Sequence, residues 1–133
     1  MSMNWIKDIE EMHEKYQVHD WVKNNPEKLE QLLHFRVAFL KEEFDETFKA
    51  TGEKDAEEIV DGLIDLCVVA IGTLDLMGVD AEKAWNMVFN ANMAKEVGVK
   101  ESRPNPLGLP DLIKPEGWTA PDHTGNHGLL VNL

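Results

Sequence analysis

Apolar residues recur at helical spacing in four stretches, and the breakers between them are chemically explicit. The first stretch, roughly Asn4 to Tyr16, puts Trp5, Ile9, Met12 and Tyr16 on one face and predicts a short amphipathic helix. The second opens at Asn25-Pro26, a capping residue followed by proline at the first helical position, and runs to about Ala50, where Gly52 is expected to stop it. The third begins after Asp55, which forms a capping-box pattern with Glu58. It stays almost continuously apolar to Met77-Gly78, so it must be buried on most sides. The fourth starts at Asp80, carries Trp85, Val88, Phe89 and Met93 on one stripe, and ends at Val97-Gly98. The pattern predicts an all-α fold, a four-helix bundle over residues 1–97.

After Gly98 the pattern breaks down. Pro104, Pro106, Pro110, Pro115 and Pro121, with Gly108, Gly117, Gly125 and Gly128, forbid continuous helix and predict an extended C-terminal arm over residues 98–133. Leu107, Leu109, Leu112, Ile113 and Trp118 make it too apolar for a solvated tail, so it should pack on its own bundle or on a neighbouring subunit. The last residues, from Gly128 to Leu133, read either as a short strand or as a pin for the arm.

A chain of 133 residues, 43% of them hydrophobic, is the size of one domain with a real core. Thirteen Lys and Arg against 25 Asp and Glu, a net charge of −12, argue against nucleic acid and anionic membranes as partners. The lone Cys67 excludes an internal disulfide framework and a cysteine-rich zinc site. The N-terminus has no basic region leading into an apolar core, and Asp65 and Asp75 interrupt the longest apolar run. A cytoplasmic protein is expected.

The carboxylates carry the chemistry. On the second helix Glu42, Glu43 and Glu46 share an arc that one or more turns earlier holds Leu32, Phe35 and Phe39, which is not the composition of a solvated face. On the third helix Glu58, Asp61 and Asp65 lie within about 60° of one another, and the same face continues as Val68, Val69 and Gly72. No Lys or Arg occurs between Asp55 and Glu82. Buried, unpaired carboxylates would cost several kcal/mol per ion, so a cation is expected among them. Lys41, Lys49 and Lys54 are too few to balance the set. An all-oxygen ligand set selects Mg²⁺ or Mn²⁺ over zinc or copper. For Glu58 alone, the capping box with Asp55 is an equal alternative.

Cations gather late in the chain. Asn92 interrupts the apolar stripe of the fourth helix, and Lys95, Lys100, Arg103 and Lys114 form the sustained basic stretch, which suits a polyphosphate. Simple salt bridging is the competing reading for Lys95, and anchoring of the arm is favoured over base stacking for Trp118. Glu10 and His13 give a single Glu-x-x-His, whereas di-iron bundle chemistry needs two. His19, His34, His123 and His127 show no ligand spacing, and neither a nucleophile elbow nor a phosphate-binding loop occurs.

Glu42-Glu43-x-x-Glu46, a short gap, Glu58-x-x-Asp61 and then Asn92-x-x-Lys95 together resemble the all-α nucleoside triphosphate pyrophosphohydrolases, the MazG-like superfamily that includes dimeric dUTPases and phosphoribosyl-ATP pyrophosphohydrolases. The resemblance spans about Leu32 to Lys95. It implies hydrolysis between the α- and β-phosphates of a (deoxy)nucleoside triphosphate, with a purine deoxynucleotide such as dGTP preferred and dCTP, dUTP and phosphoribosyl-ATP open. Carried onto this chain, it implies that Glu43, Glu46, Glu58 and Asp61 hold two or three Mg²⁺ ions, with Asp65 as a further ligand. It makes Glu42 or the metal-bridged Glu43 the group that activates water. Asn92 and Lys95, with Arg103, Lys114 and Trp118, would bind substrate. It also implies a homodimer or a dimer of dimers. A non-catalytic nucleotide or metal sensor and an oxidative di-metal bundle are the competing classes.

Overall fold

The computed structural model describes residues 4–100 and 107–133. Asn4 caps helix α1 (Trp5–Lys15) by accepting the Lys7 amide at 3.0 Å. The chain then reverses through Gln17, which takes a left-handed φ of 59°, into a second short helix, α2 (Val18–Asn24). The hydrophobic pattern predicts nothing here, because a seven-residue helix is too short to show a period. Asn25 does not cap the long helix as expected: its side chain donates to the Trp21 carbonyl at 2.8 Å, and Pro26–Lys28 form a single 3₁₀ turn that leads into the longest helix, α3 (Leu29–Glu53). Gly52 does not stop α3: it lies inside the helix, and Lys54 takes the left-handed conformation (φ 57°) that ends it. Asp55 caps α4 (Ala56–Leu76) as expected, accepting the Glu58 amide at 3.2 Å.

The fourth predicted helix is α5 (Ala81–Met93), and it ends short of the expected Val97. Glu96–Gly98 instead form a strand, β1, whose antiparallel partner β2 (Asp111–Ile113) comes from the predicted arm in the register Glu96↔Ile113, Val97↔Leu112 and Gly98↔Asp111. β-branched Val97 and Val99 favour this extended form over helix. The fold is therefore all-α, with five α-helices rather than four and one small ribbon among the described residues.

By packing, the chain divides into two units: residues up to 81 with 127–133, and residues 82–126. The first is built on the antiparallel pair α3 and α4, with α1 and α2 laid against α4. Two glycines on α4 set this pair. A Cβ on Gly62 would collide with the Thr47 hydroxyl, and one on Gly72 would meet Arg36 Nη2 and the His13 ring. Beside Gly72 the Arg36 guanidinium donates to the Val69 carbonyl at 3.0 Å and to Thr73 Oγ1 at 3.1 Å, tying α3 to α4 a second time. Burial lowers the Arg36 pKa, and these two acceptors are what it has in place of water. The C-terminal segment Gly128–Asn132 is a 3₁₀ turn rather than a strand, and the Leu129 amide bonds the Met77 carbonyl at 2.6 Å.

The apolar residues at helical spacing on α3 are only partly covered. Leu33 and Leu40 are half-buried, but Val37, Phe44 and Phe48 are exposed, with Phe48 at 69%. On α4, Val60, Leu63 and Ile64 are exposed, so the helix expected to be buried on most sides is buried on one. A hairpin and two short helices have too little surface to surround α3 and α4. In the second unit, Trp85, Phe89 and Met93 of α5 are likewise exposed.

The Gly62–Thr47 contact has a specific expected signature. In the wild type, Gly62→Ala should destabilise by about 1–3 kcal/mol despite alanine's better helix propensity. In a Thr47→Ala background the same change should be neutral or stabilising. Paired urea titrations check this, and equal effects in both backgrounds would contradict the contact.

Candidate functional site

The α3–α4 register decides which acids meet. Thr47 donates to the Glu43 carbonyl one turn earlier at 2.8 Å and faces Gly62, so stepping back along α3 to Glu43 is stepping forward along antiparallel α4 to Asp65. Glu43 registers this placement. Its carboxyl is held above the usual glutamate range, first by desolvation and then by repulsion from Glu46, Asp65, Glu42 and Asp61. Residues from two helices thus act on one carboxylate.

The carboxylates are not buried, contrary to the sequence-based expectation. Glu42, Glu46, Glu58 and Asp61 are exposed, and Glu43 and Asp65 are half-buried. Of the aromatic neighbours that suggested a covered face, Phe35 is exposed and Phe39 half-buried. At Glu43 the repulsion from its neighbours adds to desolvation, which is the larger cause of its raised pKa. Among the described residues none of these six acids forms an ion pair, and the lysines of α3 are engaged within their own helix, Lys41 with Asp45 at 2.7 Å and Lys49 with Glu53 at 3.9 Å. Glu58 is also free of its capping alternative. Asp55 accepts the Glu58 amide, but the Asp55 amide is satisfied by the Ala50 carbonyl at 3.1 Å, so half of the box forms without the Glu58 side chain.

In the second unit, three of the expected substrate-binding residues come together. The Trp118 indole N–H donates to the Ala91 carbonyl at 2.7 Å, fixing that ring against α5. Lys95 and Lys114 place their ammonium groups 5.3 and 5.0 Å from the centroid of the Trp118 ring. Asn92 is exposed on the same helix. Arg103 lies outside the described residues. Sequence reasoning missed Arg36, which has no acidic neighbour in sequence to draw notice, and the convergence of His13 and His19 on Asp75 described below.

The family model for phosphoribosyl-ATP pyrophosphohydrolase matches residues 10–92, more than half of the chain. The chain belongs to the phosphoribosyl-ATP pyrophosphohydrolase family. That places it in the MazG-like all-α pyrophosphohydrolase superfamily and supports a nucleotide pyrophosphohydrolase type of function. The matched span takes in all six acids and Asn92, whereas Lys95, Lys114 and Trp118 lie beyond it. No curated relative matches the chain. Among the described residues no helix is long and apolar enough to cross a membrane.

Glu43 carries a pH prediction for this family member. Its folded-state pKa is raised, so the ionised form destabilises the fold above that pKa, and the penalty disappears once pH falls below the unfolded value. Glu43→Gln should therefore raise the melting temperature of the metal-free chain at neutral pH, with the gain shrinking on acidification. Thermal melts from neutral to acidic pH measure it, and a lower melting temperature at neutral pH would contradict the assigned repulsion.

Proposed function

We propose that the chain is a Mg²⁺-dependent nucleoside triphosphate pyrophosphohydrolase that cleaves between the α- and β-phosphates, releasing the monophosphate and pyrophosphate. The observation that carries this reading is the α3–α4 register, in which Thr47 faces Gly62 and so brings Glu42, Glu43 and Glu46 of α3 beside Asp61 and Asp65 of α4; the raised pKa of Glu43 agrees with it. The donor set is entirely carboxylate, without a paired lysine or arginine among the described residues, and this fits a hard dication with oxygen ligands. Glu43, Glu46, Glu58 and Asp61 would hold two or three Mg²⁺ ions, with Mn²⁺ able to substitute and Asp65 as a further ligand. When bound, the metal supplies charge neutralisation at the phosphate oxygens and lowers the pKa of a water.

The remaining steps fall to side chains. Glu42, exposed and beside the cluster, or Glu43, half-buried within it, takes the proton from a water whose oxygen attacks the α-phosphorus. The bond from that phosphorus to the bridging oxygen breaks, and the pyrophosphate leaves. Lys95 and Lys114, held on Trp118, supply positive charge for polyphosphate oxygens together with Asn92 and Arg103. A purine deoxynucleotide such as dGTP is the substrate we favour. Phosphoribosyl-ATP is the second candidate because the matching family model bears its name.

We further propose that a second copy of the chain covers the apolar surface beside the acids. Phe44, Phe48, Val60 and Leu63 lie on the two helices that carry the carboxylates, and together they form the kind of large patch that subunit interfaces cover. Light scattering at micromolar concentration should give a dimer or a dimer of dimers, and a monomer would refute this.

The activity is tested by following pyrophosphate release from the eight common ribo- and deoxynucleoside triphosphates and from phosphoribosyl-ATP, with Mg²⁺ or with EDTA. Release that needs Mg²⁺ is expected, fastest for a purine deoxynucleotide, and Glu46→Gln or Asp61→Asn should lower kcat by roughly 100-fold or more. Wild-type turnover in either variant at saturating Mg²⁺ would overturn the ligand assignment. Nucleotides that raise the melting temperature without being cleaved would instead indicate a receptor.

A further inference from the structure

Away from the acidic cluster, α1, α2 and the end of α4 bring three ligand-type side chains to one point. His13 Nδ1 and His19 Nε2 each lie 2.6 Å from the same oxygen, Asp75 Oδ2, and the two rings meet edge to face with centroids 5.7 Å apart. Among the described residues this is the one group of three or more His, Cys, Asp or Glu whose ligand atoms all lie within 4.8 Å of one another. Asp75 sits ten residues beyond Asp65 on α4, about 15 Å along the helix axis, so the group is separate from the acidic cluster.

Its surroundings favour positive charge. The His13 side chain is 6% exposed and that of Asp75 13%, so the carboxylate is largely withdrawn from water. Asp75 occupies the last turn of α4, at the negative end of the helix dipole, and no basic residue is present in that turn to offset it. Arg36, which also reaches this part of α4, is committed to Val69 O and Thr73 Oγ1. Gly72 leaves space for the His13 ring: a Cβ there would stand 3.2 Å from Cε1 and 3.4 Å from Nε2, so the ring lies against α4 with Nδ1 turned to Asp75. The His19 side chain, 40% exposed, keeps one side of the group open to solvent.

We propose that His13, His19 and Asp75 bind a borderline divalent cation of the Zn²⁺ class, with water completing a four-coordinate shell. Two imidazole nitrogens and one carboxylate oxygen are the donors such an ion prefers, whereas Mg²⁺ prefers oxygen throughout. In a tetrahedral site the donors stand about 3.3 Å apart, so each imidazole nitrogen needs to draw away from the shared Asp75 oxygen by less than about 1 Å on binding. The ion clamps α1 and α2, which meet at the Gln17 turn, to the C-terminal end of α4. This assignment is independent of the reading of the acidic cluster.

The test is a Co²⁺ titration of the full, tag-free chain in the presence of excess Mg²⁺, followed by the visible bands of tetrahedral cobalt. Saturation at one equivalent and bleaching by Zn²⁺ are expected, and Zn²⁺ well above its Kd should raise the melting temperature by roughly 5–10 °C. His19→Ala, at the exposed member, and Asp75→Asn should each weaken binding by at least about 10-fold, while Glu46→Gln leaves it unchanged. His19→Ala keeps the test decisive if Asp75→Asn fails to fold. Absence of tetrahedral bands, or bands and thermal shift that survive in His19→Ala, would overturn the proposal.

Discussion

Two glycines allow α3 and α4 to approach closely enough to act as one element. Gly62 gives way to Thr47, Gly72 gives way to Arg36 and His13, and between these points the antiparallel register is fixed. With the register fixed, Glu43 lies abreast of Asp65, and the acidic runs of the two helices act on each other. Neither helix would achieve this alone. A run such as Glu-Glu-Phe-Asp-Glu is an ordinary solvated surface until a second acidic face is brought against it.

The electrostatic consequence combines desolvation with repulsion, and it is registered at Glu43. The half-buried Glu43 is held above the usual glutamate range first by desolvation and then by the four like charges around it, and the oxygen-seeking dication proposed above would relieve that repulsion. A site built this way is open to a large, charged ligand such as a nucleotide with its phosphates. The lysines of α3 stay in intrahelical pairs, Lys41 with Asp45 and Lys49 with Glu53.

What could be read from the sequence follows from how local each signal is. The Asp55 cap, the long helix after Pro26 and the spacing of the acids on α3 and α4 depend on residues within a few positions of one another, and they stand as read. Features that depend on a tertiary partner did not show. Lys54 ends α3 in place of Gly52, and Val97 leaves the helix to pair with Leu112 across a long connection. His13 and His19 acquire meaning only through Asp75, more than fifty residues away. The exposure of Val60, Leu63 and Ile64 on α4 has a related reason: periodicity reports which residues share a face, not whether the same chain covers it.

The claim at the centre of this account is that carboxylates from both α3 and α4 form one dication site. The most direct measurement is a Mg²⁺ titration followed by the side-chain carboxyl ¹³C resonances of the glutamates and aspartates. The account predicts that Glu43 and Glu46 of α3 and Glu58, Asp61 and Asp65 of α4 shift together along a common binding curve, while Asp45 and Glu53, paired with lysines, do not. Shifts confined to one helix, or separate curves for the two, would contradict it.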